Sequence, residues 1–144
     1  MNPQTITKEI NISASPSRVF DALTNAEEIV KYFPLHEVVS DWKVGGEVIH
    51  RGEVNGSEFT DYGIIDAFSR PNIYKYTYWS TNHGTERVPE NYISITYELL
   101  EEGTGTKLML EQSNINSTDM YEMMNSVVWD VLLNELKSYV ESTT

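Results

Sequence analysis

The sequence contains no cysteine, which excludes disulfide bonds, thiolate nucleophiles and cysteine metal sites in one step. It has no run of about eighteen apolar residues and no basic N-terminal region followed by an apolar one, so neither a membrane span nor a secretory signal is indicated. We therefore expect a cytoplasmic protein. Phosphate-binding glycine loops and the Gly-x-Ser-x-Gly elbow are also absent, which argues against a nucleotide cofactor and against serine hydrolysis.

Positive charge is scarce. Ten Lys and Arg stand against 22 Asp and Glu, which gives a formal net charge of −12. Such a surface repels phosphate backbones and anionic lipids, so we expect neither nucleic acid nor a membrane as partner. His36, His50 and His83 lie on separate predicted elements without a close carboxylate pairing, so we expect no metal and no cofactor.

The length of 144 residues predicts a single domain over residues 1–144. A chain of this size buries about two thirds of the surface that its unfolded form exposes. One sizeable core, with room for a ligand, is therefore expected.

The first third of the chain predicts one strand and two short helices. Residues 6–13 partly alternate between apolar and polar side chains, as a half-buried strand does. Ser15 followed by Pro16 is typical of a helix start. Asn25 with Glu28 resembles a capping box that begins a second helix, which Pro34 ends.

The middle of the chain predicts an antiparallel meander. Strand-like segments are separated by turn residues such as Asn55-Gly56, and a longer loop covers residues 82–91. The predicted strands are residues 45–51, 59–68, 73–79, 92–100 and 107–112, with an additional short strand near residues 38–40. For residues 59–68 the inward face stays open, because the two alternating sets of side chains are equally apolar.

A long helix closes the chain. Asp119 with Glu122 resembles a capping box, and the helical pattern runs to about Glu141. Its apolar face, centred on Trp129, is so wide that it must lie in a concave partner. The predicted fold is therefore α+β: a curved antiparallel sheet wrapped around a long C-terminal helix, with two short helices after strand one.

Several local strings in this order resemble the START-related (SRPBCC) superfamily, and within it the branch named for activator of heat-shock-protein ATPase homologues. They are residues 14–24, 42–47, 62–66 and 76–79, followed by Trp129, Leu133 and Leu136. The sequence departs from the pattern at Val128, where a glycine is common, and at residues 69–70. The resemblance implies the helix-grip fold, a cavity for apolar molecules between sheet and last helix, and a link to the stress response.

Strand parity gives the candidate binding residues. Alternation along residues 73–79 directs three tyrosines to the concave face, and the same parity on the next two strands adds further residues. The resemblance points Val48, and with it His50, inward. Methionines at the start of the last helix are suited to an adaptable lid. The predicted ligand-binding set is His50, Tyr76, Tyr78, Tyr97, Leu110, Gln112, Met124 and Val128, in a cavity reached near residues 82–91. An alternative is that the tyrosines only pack, with their hydroxyls in water at the rim.

Three functions remain open. The leading prediction is a non-enzymatic binder of a small apolar or aromatic ligand, with no catalytic residue assigned. The first alternative is a protein-interaction module resembling the chaperone-activator domain, whose acidic surface would meet a basic partner. The second is a cyclase-like or hydrolase-like enzyme that uses His50 and a tyrosine.

Overall fold

The computed structural model describes residues 2–143 and shows one curved sheet of seven antiparallel strands. The strand order is β1-β7-β6-β5-β4-β3-β2, so the first and last strands pair and the rest follow as a meander. The strands are β1 (Gln4–Ile12), β2 (Leu35–Ser40), β3 (Glu47–Val54), β4 (Ser57–Ser69), β5 (Ile73–Ser80), β6 (Ile93–Glu102) and β7 (Gly105–Ile115). The predicted fold class is confirmed, and the additional short strand is β2.

Two short helices follow β1, namely α1 (Pro16–Leu23) and α2 (Ala26–Tyr32). Ser15 caps α1 as predicted, because its side chain accepts a hydrogen bond from the Arg18 backbone N–H at 3.2 Å. Asn25 caps α2 by accepting from the Glu27 N–H. The predicted capping box is wrong at Glu28, whose carboxylate is held instead by the Arg18 guanidinium at 2.8 Å.

The C-terminal helix consists of three consecutive parts: α3 (Thr118–Met123), a π-helical turn (Met124–Val128) and α4 (Trp129–Ser142). The capping box predicted at Asp119 is wrong, because Ser117 is the N-cap and accepts from the Met120 N–H at 3.2 Å. A preceding serine satisfies the free N–H groups of the first turn, so the helix begins earlier than the acidic residue.

The β3–β4 hairpin has a two-residue turn at Asn55-Gly56. Both residues have positive φ, 50° and 83°, the conformation that twists the turn to match its strands. This turn pairs Val54 with Ser57 and therefore places His50 directly opposite Asp61.

A structural feature explains why the sequence did not show which face of β4 points inward. The β4–β5 register shifts by one residue between Ile65 and Ala67, where a β-bulge interrupts the pairing. Before the bulge Ile65 is buried, and after it Phe68 packs against Phe20 on the same side of the sheet. The alternating set of residues that includes Ile65 therefore faces inward before the bulge, and the other set, which includes Phe68, faces inward after it.

The helix is joined to the sheet through Trp129, which is 3% exposed. The indole Nε1–H donates a hydrogen bond of 2.6 Å to the Gln112 side-chain oxygen on β7. The ring also meets Tyr97 edge-on, with centroids 6.4 Å apart. The predicted burial of Trp129 is confirmed. No helix within residues 2–143 is long and apolar enough to cross a membrane.

Replacing Trp129 by alanine should lower the free energy of unfolding by about 3–5 kcal/mol, because a large buried ring is lost and Gln112 is left unsatisfied. Urea denaturation measures this. The control is Val131→Ala on the exposed side of the same helix, for which a change within about 0.5 kcal/mol is expected. A loss under about 1 kcal/mol for Trp129→Ala would contradict the anchoring role.

Candidate functional site

A cavity of about 160 Å³ lies between the C-terminal helix, the sheet and the segment that connects α2 to β2. Its walls are mainly aromatic and aliphatic, and two polar side chains interrupt them. The aromatic residues are Phe33, Phe59, Tyr76, Tyr78 and Trp129. The aliphatic ones are Pro34, Leu35, Ile95, Met124, Val128 and Leu132, and the polar ones are His50 and Asp61.

The cavity continues into an open groove of about 330 Å³. The two spaces share the lining residues Phe59, Asp61, Tyr78 and Met124. The groove is completed by Asn82, His83, Ser117 and Met120. The start of the loop at residues 82–91 therefore lies at the mouth, on the side where the sequence predicted an entrance.

The N-terminal part of the C-terminal helix is packed less deeply than the part that follows, although Met120, Tyr121 and Met124 contact the core. Neither α3 nor the π-helical turn contributes a buried residue, whereas α4 buries Trp129, Leu133, Leu136 and Val140. Met124 and Val128, at the two ends of the π-helical turn, both line the cavity. A π-helical turn widens a helix locally and is frequent at functional sites.

His50 and Asp61 face each other at the cavity. Their closest atoms, His50 Nδ1 and an Asp61 carboxylate oxygen, are 3.9 Å apart, which is too far for a hydrogen bond. The His50 ring meets Tyr76 edge-on, with centroids 5.8 Å apart. Asp61 was missed from the sequence, although the two-residue turn at Asn55-Gly56 was sufficient to pair it with His50.

The inward tyrosines are protonated donors near neutral pH. Burial raises the pKa of Tyr74, Tyr76, Tyr78 and Tyr97 above the ordinary value, and the Asp61 charge raises that of Tyr78 further. A phenol with a raised pKa stays protonated at neutral pH, so this geometry gives the tyrosines hydrogen-bond donation rather than proton abstraction.

Tyr74 carries an orphan polar group. Its hydroxyl is buried and has no hydrogen-bond partner among the described residues. The ring stacks on Tyr76 and Tyr97 beside a space of about 10 Å³, close to the size of one water molecule, which shares the lining residues Phe33, His50 and Tyr76 with the main cavity.

His83 stands at the mouth in a defined orientation. Its Nδ1 accepts a hydrogen bond of 3.3 Å from the Ser80 backbone N–H, and its ring lies 5.4 Å from that of Tyr78. Burial lowers the pKa of His83 below its ordinary value, and the charge of Asp61 partly opposes this.

The structure brings together five of the eight predicted binding residues. The residues that line the main cavity are His50, Tyr76, Tyr78, Met124 and Val128. Tyr97 lines the water-sized space instead. Gln112 is fully buried behind the wall, where its side-chain amide donates to the Tyr78 hydroxyl at 3.4 Å, and Leu110 is buried in the core.

Several lining residues were not predicted. Phe33 and Pro34 come from the connection after α2, Leu35 begins β2, and Phe59 comes from the strand whose inward face was left open. The hairpin register also places Phe59 on the same face as Asp61. No sequence pattern indicated that the connection after α2 would reach the cavity.

Two other features do not join this site. Within residues 2–143, no three His, Asp or Glu side chains cluster as a metal ion requires. A groove of about 290 Å³ lies on the opposite face of the sheet and is bordered by charged residues such as Glu9, Glu98 and Glu111.

The curved sheet gripping a long C-terminal helix over a cavity defines a START-related domain. The family model described as "Activator of Hsp90 ATPase homolog 1-like protein" matches residues 13–141. The chain therefore belongs to this family, and the resemblance inferred from the sequence is confirmed. No curated protein shows a significant match to the chain.

Solved structures share the fold over nearly the whole length. A solution structure of a protein from Cytophaga hutchinsonii is 30% identical, with a TM-score of 0.83, and the alignment covers 99% of this chain and 98% of that one. The Aha1 dimer from Colwellia psychrerythraea is 21% identical, with a TM-score of 0.77 and 96% of each chain covered. Ara h 8.0201 is 16% identical, with a TM-score of 0.76, and the alignment covers 98% of this chain and 99% of that one. The last two similarities show the fold alone.

The lowered pKa of His83 generates a pH prediction. The folded protein favours the neutral imidazole, so the unfolded chain takes up this proton first as the pH falls below about 6.5. The contribution of His83 to stability is thus complete above that value and is lost as the pH falls through the lower folded pKa. Urea denaturation at pH 7.5 and pH 5 should show a larger loss for the wild type than for His83→Gln. Equal losses would contradict the assignment.

Proposed function

We propose that this chain binds a small apolar or aromatic molecule in the cavity between its sheet and its C-terminal helix. The observation that carries the proposal is the cavity of about 160 Å³ with eleven aromatic or aliphatic lining residues and two polar ones. Binding sites for small molecules have this composition, in which apolar walls provide affinity and a few polar groups orient the ligand.

The cavity volume indicates the size of the ligand. A buried apolar cavity of about 150 Å³ accommodates benzene. A ligand with one aromatic ring therefore fits the cavity, and any polar extension would lie in the adjoining groove beside Asn82 and His83. The hydroxyls of Tyr76 and Tyr78 and the imidazole of His50 are available to orient it.

Under this proposal the N-terminal part of the C-terminal helix forms the adjustable wall. Met124 and Val128 contribute to the cavity from a helical turn that has no buried residue. A flexible thioether adapts to ligands of different shape. The anchored part of the helix, from Trp129 onward, would stay in place while this wall adjusts.

The alternative functions stay predictions. A chaperone partner is suggested only by the description of the family. The name Aha1 is that of the similar protein from Colwellia psychrerythraea. An enzyme that uses His50 and a tyrosine would take its base from His50, because the buried phenols stay protonated near neutral pH. A single domain over residues 1–144, a cytoplasmic location and a part in the stress response likewise stay predictions.

Filling the cavity tests the proposal. Val128→Phe inserts a ring into the space beneath the helix and should weaken binding of phenethyl alcohol by at least about tenfold, equivalent to about 1.4 kcal/mol. The measurement is a titration of backbone amide resonances by NMR. The added ring should cost less than the roughly 1–3 kcal/mol typical of an overpacked core, because space for it exists.

The matched control is Val127→Phe. Val127 precedes Val128 directly but is 52% exposed, so the same change there should leave the affinity unaltered. Saturable binding that is insensitive to Val128→Phe, or no binding of the alcohol by the wild type, would overturn the proposal.

A further inference from the structure

The Asp61 carboxylate differs from that of Glu28, which is also partly buried. The two side chains are almost equally exposed, 17% for Asp61 and 18% for Glu28. Glu28 receives the Arg18 guanidinium and the Tyr139 hydroxyl, each at 2.8 Å. No described residue donates a hydrogen bond to Asp61, whose nearest basic side chain, His50, is 3.9 Å away. The Asp61 oxygens are not fully buried, so they are open to a hydrogen-bond donor from a ligand.

The surroundings of Asp61 contain no permanent positive charge. Among the described residues that line the cavity and its open groove, none is Lys or Arg. The two nearby bases are His50 and His83, and burial lowers the pKa of His83. A ligand with a carboxylate or phosphate would therefore meet an uncompensated negative charge at the junction of cavity and groove.

The walls beside Asp61 favour a positive charge. Phe59, Tyr76 and Tyr78 line the same cavity as the carboxylate. The faces of aromatic rings attract cations, and this attraction strengthens where water is excluded. A carboxylate next to several aromatic rings is thus a site for an ammonium group on an apolar body.

We propose that the ligand is a primary amine with an aromatic or apolar body, whose ammonium group binds Asp61 while its body fills the cavity. This inference rests on the proposed function and specifies the ligand class for it. The shape of the space agrees, because Asp61 borders both the cavity and the groove. The ammonium would donate to the carboxylate that has no donor of its own.

The experiment compares three ligands of one size: phenethylamine, phenethyl alcohol and phenylacetate. NMR titration at pH 7.5 should show the amine binding about tenfold more tightly than the alcohol, because a charge-assisted hydrogen bond is roughly twice as strong as a neutral one. Phenylacetate should bind most weakly. Equal affinities of amine and alcohol, or tighter binding of phenylacetate, would overturn the inference.

Asp61→Asn identifies the responsible group. The amide has nearly the same shape and no charge, so the preference for the amine over the alcohol should disappear while the alcohol still binds. The control is Asp66→Asn, an exposed residue on the same strand, which changes the net charge equally and should keep the preference. A preference lost equally in both variants would assign it to the overall negative charge and overturn the inference.

The outcomes separate this inference from the proposed function. If none of the three ligands shifts the resonances of cavity residues, the proposed function itself fails. If the alcohol binds, Val128→Phe blocks it and the amine binds no more tightly, only the amine assignment fails. If Asp61→Asn does not fold, the comparison of the three ligands on the wild type still decides.

Discussion

The hydrogen bond between the Trp129 indole and the Gln112 side chain determines how the helix lies on the sheet. Its length is 2.6 Å, and both partners are buried. The other end of the Gln112 amide donates to the Tyr78 hydroxyl, so one side chain links the helix to two strands. From Trp129 onward the helix buries a residue on almost every turn, and before Trp129 it buries none. The cavity lies beneath the part of the helix that precedes Trp129, which contributes no fully buried residue.

The carboxylate at the cavity has different surroundings from Glu28. The protein pairs the Glu28 carboxylate with Arg18 between the two short helices. At the cavity it instead places Asp61 beside aromatic rings and one histidine, without a donor. A polar group that lacks a partner in the protein, in a space open to ligands, is a feature of a binding site rather than of a core. Fold similarity alone would not support that conclusion.

The fold could be predicted from the sequence because its signals are local and repeated. Alternation placed Tyr76 and Tyr97 on the inner face, and the wide apolar face around Trp129 required a concave partner. The predictions failed where a competing local interaction decided the outcome. Ser117 caps the last helix in place of Asp119, and Glu28 binds a side chain rather than its own helix.

The site was only partly predictable, for three physical reasons. The bulge after Ile65 exchanges the inward and outward faces of β4, so a single parity could not describe that strand. The π-helical turn, which positions Val128, has no periodic signature in the sequence. The pairing of His50 with Asp61 follows from the Asn55-Gly56 turn, but the alternation within a single strand does not indicate it.

The central claim is that a ligand enters beneath the helix rather than binding on the surface. Intermolecular nuclear Overhauser effects between phenethyl alcohol and the methyl-labelled protein test this most directly. The account predicts contacts from the ring protons to the methyl groups of Val128 and Ile95, which line the cavity. Contacts confined to the exposed methyl groups of Met123 and Val127, at concentrations that saturate binding, would contradict it.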